Sequence, residues 1–173
     1  AGNIKRGGEW IETRILASGP RTNPWFQECG PRLMQAGDLM AFDTDLVGTY
    51  GYCCDISRTW IIGDVAPNDR QKHLYQTAYD HVMTNIGLIE AGMSFADMTR
   101  VSHRLPEMFR PLRYGVLAHG YGGCFEVGMT LCVEAYIGAV GGHDGVKLEE
   151  QVLITDSGAV PLSTYRYEAA FLN

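Results

Sequence analysis

The chain has 173 residues, of which 46% are hydrophobic and 20% charged, and this balance excludes a disordered, collagen-like or low-complexity chain. Twenty acidic residues against fourteen basic ones give a net charge of -6 at pH 7, so the bulk charge provides no field that would collect nucleic acid or anionic lipid. No run approaches the roughly 18 apolar residues of a membrane helix, and no apolar segment typical of a signal peptide follows the first basic residues. We therefore expect one soluble, cytoplasmic domain without nucleic-acid or membrane partners.

The first third of the chain predicts strands around a long loop. Residues 10–17 alternate apolar and polar side chains and stop at a Ser-Gly-Pro turn, which is typical of a half-buried strand. Residues 20–37 are rich in Pro, Gly, Arg and Asn, which favours a loop, and loops of this length are often functional. Residues 38–47 and 52–62 are apolar segments separated by a Gly-Thr-Tyr-Gly turn, so two paired strands are predicted.

Two helices are predicted in the middle of the chain. From 68 to 92, apolar residues recur at three- and four-residue spacing between an asparagine start signal and a glycine in a C-cap position. Ser94 with Asp97 three residues later is close to a capping box, and a second apolar stripe continues to Pro111. Further strands are predicted at 114–118, 129–137 and 146–155. Helices grouped between strands are typical of an α+β fold.

Five carboxylates fall on strands whose other residues are mostly apolar. Asp43 and Asp45 are two residues apart, so the strand period directs both side chains to one face. Asp55 follows on the partner strand, and Glu134 and Glu149 lie on two later strands. An ionised carboxylate is too costly to bury without a partner. The pattern therefore predicts compensating cations.

Two sources of positive charge fit these carboxylates. Arg58 can neutralise one of them. For the rest, divalent ions such as Fe, Mn, Co or Zn suit a set of carboxylates with one imidazole, and His119 in an H-G-x-G-G sequence supplies that imidazole. Each residue taken singly is more often an ordinary surface or core residue, so the prediction of a metal site depends on their combined order.

That order is D-x-D, then D-x-x-R-T, then H-G-x-G-G, then one glutamate on each of two strands, and it resembles the creatinase/aminopeptidase/prolidase superfamily. The resemblance covers nearly the whole chain. It implies the pita-bread fold, in which a curved antiparallel sheet carries helices on its outer face. The superfamily's ligand positions fall on Asp55, His119, Glu134 and Glu149. Its first aspartate falls on Thr44, which Asp43 and Asp45 flank.

Two histidines that the superfamily's peptidases use on their substrate have no counterpart here. The first histidine of the chain is His73, and the next one after His119 is His143. Trp25 stands about where the first peptidase histidine would be. Without these groups a tetrahedral intermediate is neither bound nor protonated, which disfavours a metallo-aminopeptidase or creatinase-like hydrolase. A non-catalytic binding member of the same fold is the other alternative.

The doubled aspartate, the absent histidines and the strings RGGEW, SGPRTNPW, FDTDLVG, DISRTW and GMTLCVEA resemble one branch of the superfamily, the dimethylsulfoniopropionate (DMSP) lyases. In that branch both aspartates of D-x-D are ligands, which maps to Asp43 and Asp45. The resemblance implies cleavage of a small sulfonium substrate, DMSP, to dimethyl sulfide and acrylate by β-elimination. It also implies a homodimer and two divalent metal ions, iron first and Zn, Mn or Ni as alternatives.

Aromatic side chains would attract the cationic sulfur of such a substrate. Trp25 and Tyr121 are the candidate substrate-binding residues, although a buried loop anchor explains Trp25 equally well. The resemblance implies a mobile catalytic role for Tyr114.

The catalytic base of the lyase branch has no counterpart in this sequence. In that branch an aspartate directly follows the cysteine after the H-G-x-G segment, and a longer segment then leads to the glutamate strand. Here Phe125 follows Cys124, and the strand of Glu134 begins soon after. Either a natural deletion removed the base, with Glu126 as its substitute, or a loop is missing at this point. We favour the second interpretation, in which 1–173 is a C-terminal catalytic metal-binding domain whose N-terminal domain and active-site loop are missing from this sequence.

Overall fold

The fold is an eight-stranded antiparallel sheet with two α-helices in this computed structural model, which describes residues 4–11, 15–120 and 122–172. The strands are β1 Gly8–Ile11, β2 Leu16–Ser18, β3 Leu39–Gly48, β4 Cys53–Ile61, β5 Ala118–Gly120, β6 Thr130–Gly138, β7 Gly145–Thr155 and β8 Gly158–Pro161, and the helices are α1 Asp69–Gly87 and α2 Phe95–Val101. Short 3-10 helices span Ile4–Arg6, Gly19–Thr22, Thr49–Gly51, Glu107–Leu112 and Ala169–Phe171. The main strand order is β1-β3-β4-β7-β6-β5, with β2 beside β3 and β8 beside β7.

The hydrophobic core lies between α1 and the central strands β6 and β7. Leu74 and Val82 of α1 pack in one buried cluster with Val133 of β6 and Leu148 of β7. Side chains on a strand alternate between its two faces. The residues between these apolar positions on β6 and β7 therefore face the opposite side of the sheet.

The predicted start of α1 is confirmed, and its predicted end is wrong. The Asn68 side chain accepts a hydrogen bond from the Gln71 N–H at 2.9 Å, while the Gln71 side chain accepts one from the Asn68 N–H at 3.1 Å, which is a capping box. The helix ends at Gly87 instead of continuing to Gly92. Gly92 adopts φ +88° and donates its N–H to the Phe125 carbonyl at 2.7 Å, so its left-handed conformation belongs to a turn beyond the helix.

The second helix is shorter than its apolar stripe predicts. The capping box is confirmed, because the Ser94 hydroxyl accepts from the Asp97 N–H at 3.1 Å. The helix ends at Val101. Pro106 also prevents the stripe from continuing as one helix, because proline disfavours the α conformation in the residue before it. The rest of the stripe forms the 3-10 helix Glu107–Leu112. Within the described residues, the structure contains no helix long and apolar enough to cross a membrane.

The strand predictions hold best for the long strands. The single strand predicted at 10–17 is instead β1 and β2, with 12–14 outside the described residues. The strand predicted at 114–118 is wrong for most of its length, because β5 begins only at Ala118. The predicted loop at 20–37 is confirmed apart from the 3-10 turn at its start.

Candidate metal centre

The register of four strands places four polar side chains in one row across the sheet. Asp43 on β3 is opposite Ser57 on β4, Ser57 is opposite Glu149 on β7, and Glu149 is opposite Glu134 on β6. Directly opposed residues share a face, with Cβ atoms about 4.5–5.5 Å apart. The three carboxylates of this row therefore meet on one face of the sheet.

A second row lies two residues away from the first on β3, β4 and β6, and it extends to β5. Asp45 is opposite Asp55, and His119 on β5 is opposite Cys132 on β6. Because the strand period is two, this row faces the same side as the first. The structure thus brings together all six predicted ligands, which we call the acidic cluster: Asp43, Asp45, Asp55, His119, Glu134 and Glu149.

Three carboxylates of the acidic cluster converge on the imidazole of His119. Its Nε2 atom lies 3.1 Å from Glu149 Oε1, 3.4 Å from Glu134 Oε1 and 3.5 Å from Asp55 Oδ2. One ligand atom from each of Asp55, His119, Cys132 and Glu149 lies within 4.8 Å of the others. The His119 side chain is 45% exposed, so this end of the cluster is open to an ion from solvent.

A buried ammonium group lies at the other end of the acidic cluster. Lys147 is 1% exposed; its Nζ is 2.8 Å from Glu149 Oε2 and 3.9 Å from Asp43 Oδ2, and it donates a hydrogen bond to Glu134 Oε2. The Ser57 hydroxyl is within hydrogen-bonding reach of Asp43 and of Glu149. The sequence-based predictions include neither Lys147 nor Ser57. Strand spacing places both on the face of the predicted ligands, since each lies two residues from one of them on the same strand, but it does not show that they make contact.

Burial is the main reason why most carboxylates of the cluster hold protons more tightly than usual. Those with a raised pKa are Asp43 (to about 6), Glu134 (to about 7), Asp55 (to about 8) and Asp45. Glu149 is the exception: burial acts to raise its pKa, but the hydrogen bond from His119 and the charge of Lys147 outweigh burial and lower it to about 2.

These raised pKa values mean that the cluster contains more acid than Lys147 and His119 can neutralise. Divalent ions would supply the missing positive charge and displace the protons, because metal ligands bind in their deprotonated form. Oxygen ligands with one imidazole and a nearby thiol also suit first-row divalent metals. The residues therefore fit a divalent metal centre.

Arg58 does not neutralise a member of the acidic cluster, so that prediction is wrong. Its side chain is 3% exposed, and Nη2 lies 2.6 Å from Glu150 Oε2. The guanidinium also lies over the Tyr167 ring, 4.1 Å from the ring centroid. The reason is strand alternation, which turns Arg58 and Glu150 to the face opposite their neighbours Ser57 and Glu149.

An aromatic cluster of Trp25, Phe26 and Tyr114 adjoins the acidic cluster. The ring centroids of Trp25 and Tyr114 are 5.0 Å apart, and those of Phe26 and Tyr114 are 4.6 Å apart. The Phe26 ring centroid is 5.9 Å from Lys147 Nζ. Burial, and then the charge of Glu134, raise the pKa of Tyr114.

Phe26 is a further residue that the sequence-based predictions do not include. Its φ is +56°, in the left-handed region that a bulky non-glycine residue rarely adopts. Such backbone strain is concentrated at functional sites. The available sequence signal was its place beside Trp25 in the long loop.

The structure does not place the remaining positions of the sequence analysis at the site. Tyr121 lies outside the described residues. Phe125, where the branch has its base, is 1% exposed and packs edge-on against Phe95 with ring centroids 4.9 Å apart. The Glu126 side chain is exposed.

Residues 2–156 match metallopeptidase family M24. The chain belongs to that family. The prolidase of Pyrococcus horikoshii OT3 has the same fold, with a TM-score of 0.78 at 22% identity over 95% of this chain and 51% of that one. The predicted superfamily and pita-bread fold are confirmed.

Two curated relatives are more similar in sequence. The chain is 49% identical to dimethylsulfoniopropionate lyase DddP of Roseovarius nubinhibens over 192 residues, which cover 99% of this chain and 43% of that protein. It is 45% identical to dimethylsulfoniopropionate lyase DddP of Roseobacter denitrificans over 190 residues, which cover 98% of this chain and 42% of that protein. The chain therefore spans less than half the length of the curated relatives it matches.

Proposed function

We propose that the chain is the metal-binding catalytic part of a lyase that cleaves DMSP to dimethyl sulfide and acrylate. The observation that carries this proposal is the position of the aromatic cluster beside the acidic cluster, with the Phe26 ring centroid 5.9 Å from Lys147 Nζ. DMSP has a carboxylate at one end and a cationic sulfonium at the other. The similarity to two DMSP lyases at 45–49% identity supports the same substrate.

The two clusters suit the two ends of this substrate. The faces of Trp25, Phe26 and Tyr114 attract a cation such as the sulfonium. The acidic cluster would hold two divalent ions, iron first and Zn, Mn or Ni as alternatives. When bound, these ions would supply Lewis-acid stabilisation of the negative charge that develops on the substrate carboxylate.

The reaction is a β-elimination. A base removes a proton from the carbon next to the carboxylate, a carbon–carbon double bond forms, and the carbon–sulfur bond breaks with its electron pair staying on sulfur. Dimethyl sulfide leaves as a neutral molecule and needs no proton. The reaction therefore has no use for the two histidines that this chain lacks in comparison with the peptidases.

The base is assigned to a segment that follows Cys124 in the relatives. The alignments to the two DddP lyases extend over 192 and 190 residues, more than the 173 of this chain, so each relative has residues within the matched region that this sequence lacks, and these are compatible with a loop after Cys124. Tyr114 does not replace the base in the present arrangement. Because burial raises the pKa of Tyr114, its phenol stays protonated near neutral pH and would bind the substrate as a proton-bearing group.

A metallo-aminopeptidase or creatinase-like hydrolase is the second candidate, and membership of a metallopeptidase family favours it. The absent histidines disfavour it. A non-catalytic binding protein is the third candidate; the lack of a base in this sequence favours it, and a retained set of five buried or half-buried carboxylates disfavours it.

The test is release of dimethyl sulfide from DMSP, measured by gas chromatography on the full-length protein whose intact mass has first been determined. We expect sulfide release that stops with EDTA and returns with Fe²⁺. Metal binding with cleavage of an Xaa-Pro dipeptide and no sulfide would establish the hydrolase instead. The absence of both metal binding and activity would establish the binding protein. The homodimer and the cytoplasmic location belong to this proposal, and light scattering and cell fractionation test them.

A further inference from the structure

The acidic cluster has a closed end and an open end. At the closed end the Lys147 side chain is 1% exposed, and the side chains of Glu134 and Glu149 are 3% and 2% exposed. At the open end the His119 side chain is 45% exposed and that of Asp55 is 18% exposed. An ion from solvent therefore reaches the carboxylates from the side opposite the ammonium group.

Lys147 binds one carboxylate oxygen of each of two glutamates at the closed end, and the other oxygen of each lies towards the open end. It donates a hydrogen bond to Oε2 of Glu134 and to Oε2 of Glu149. The other oxygen of each residue, Oε1, lies 3.4 Å and 3.1 Å from His119 Nε2, respectively. One oxygen of each glutamate is thus anchored, and the other is directed to the place where the ligand atoms converge.

Lys147 also completes a charge balance. With all five carboxylates deprotonated and Lys147 charged, the cluster has four negative charges, which two divalent ions neutralise. Without the ammonium group, one buried negative charge would be left over, and an uncompensated buried charge is strongly unfavourable.

We infer that Lys147 is a positioning residue of the metal centre: it anchors Oε2 of Glu134 and Glu149 so that Oε1 of each faces the incoming ion, and it supplies the fixed positive charge that two divalent ions require. This inference rests on the proposed metal centre and is independent of the identity of the substrate. Groups that hold metal ligands in place through hydrogen bonds typically change metal affinity about 10- to 100-fold.

The experiment is calorimetric titration of the EDTA-treated, dialysed full-length protein with Mn²⁺, without DMSP. We expect two ions per chain in the wild type and about 10- to 100-fold weaker binding in Lys147→Met. Lys147→Arg keeps the charge and should recover part of the affinity. Lys5→Met, at an exposed lysine, should bind as the wild type does.

Equal or tighter Mn²⁺ binding by Lys147→Met would overturn the inference, because the ammonium group would then be a bystander or a competitor of the ion. Circular dichroism of the metal-free variants shows whether they fold, and Lys147→Gln, which keeps a hydrogen-bond donor without the charge, replaces Lys147→Met if that variant does not. Lys147→Gln should also bind Mn²⁺ more weakly than Lys147→Arg, and the reverse order of affinities would refute the charge argument. The two proposals can fail separately. Weak Mn²⁺ binding by Lys147→Met together with no sulfide release by the wild type would refute the lyase proposal and leave the role of Lys147 standing. A wild type that binds no Mn²⁺ would refute the metal-dependent lyase and the role of Lys147 together.

Discussion

Acid should destabilise the fold through His81, a residue of α1 that lies outside the acidic cluster. The side chain is 8% exposed, and its Nδ1 lies 3.1 Å from Nδ1 of His103. Burial, together with repulsion from His103 and Arg113, lowers the pKa of His81 to about 4. An unperturbed histidine has a pKa near 6.5.

The sign and size of the effect follow from these two values. Between about pH 6.5 and pH 4 the unfolded chain binds a proton at His81 that the folded chain rejects, so stability is fully present above this range and is lost as the pH falls through it. One pKa unit corresponds to about 1.4 kcal/mol. The loss between pH 7 and pH 4 is therefore about 3 kcal/mol, a large share of a typical free energy of unfolding of about 5–15 kcal/mol.

The assay is urea denaturation at pH 7, 6, 5 and 4 with EDTA present, for the wild type and for His81→Phe. Other groups titrate in this range, so the informative quantity is the difference between the two proteins. We expect the wild-type free energy of unfolding to fall by about 3 kcal/mol more than that of the variant. His73→Phe, at an exposed position of the same helix, should keep the wild-type pH dependence. A difference between wild type and His81→Phe that stays constant from pH 7 to pH 4 would refute the reasoning.

Three further predictions concern the clusters and the buried ion pair. Asp45→Ala and His119→Ala should each bind metal more than about 100-fold more weakly, because a lost ligand should cost more than a lost supporting group, while circular dichroism stays unchanged; wild-type metal content in either variant would contradict the ligand assignment. Trp25→Ala should raise the KM for DMSP by roughly 2- to 30-fold with little change in kcat, the range expected for one cation–π contact, and an unchanged KM would remove Trp25 from the sulfonium site. Arg58→Met should lower the free energy of unfolding by about 3–5 kcal/mol, since it leaves the buried Glu150 without its charged partner. The double variant that also replaces Glu150 with Met should recover most of the loss. Equal losses in the single and double variants would show that the pair contributes through packing alone.

Strand periodicity made much of the site predictable. Asp43 and Asp45 share a face because they are two residues apart, and the structure places Asp55 opposite Asp45 on the strand that was predicted to pair with theirs. The same rule applies to Ser57 and Lys147. They were not predicted because periodicity says which residues share a face and does not say which of them make contact.

Three features of the structure depend on contacts between distant parts of the chain, which local sequence patterns do not predict. Residues 114–117 look like a strand but do not form one, and only Ala118–Gly120 pairs with β6. The left-handed conformation of Phe26 has no sequence signal of its own, since a Pro-rich loop is compatible with many backbone paths. Phe125 occupies the core at the position where a base was expected.

The strands that carry the acidic cluster lie far apart in sequence, and this determines when a metal ion can enter. Ser57 on β4 meets Glu149 on β7 across 92 residues of chain, so the ligands converge only after these distant strands have paired. In a zinc finger the ion drives the chain to fold; here β6 and β7, which supply two of the ligands, also bury the hydrophobic core on their other face. An ion that binds only the paired strands adds to the stability of the fold, so the supply of metal would change both how much protein is loaded and how much of it stays folded.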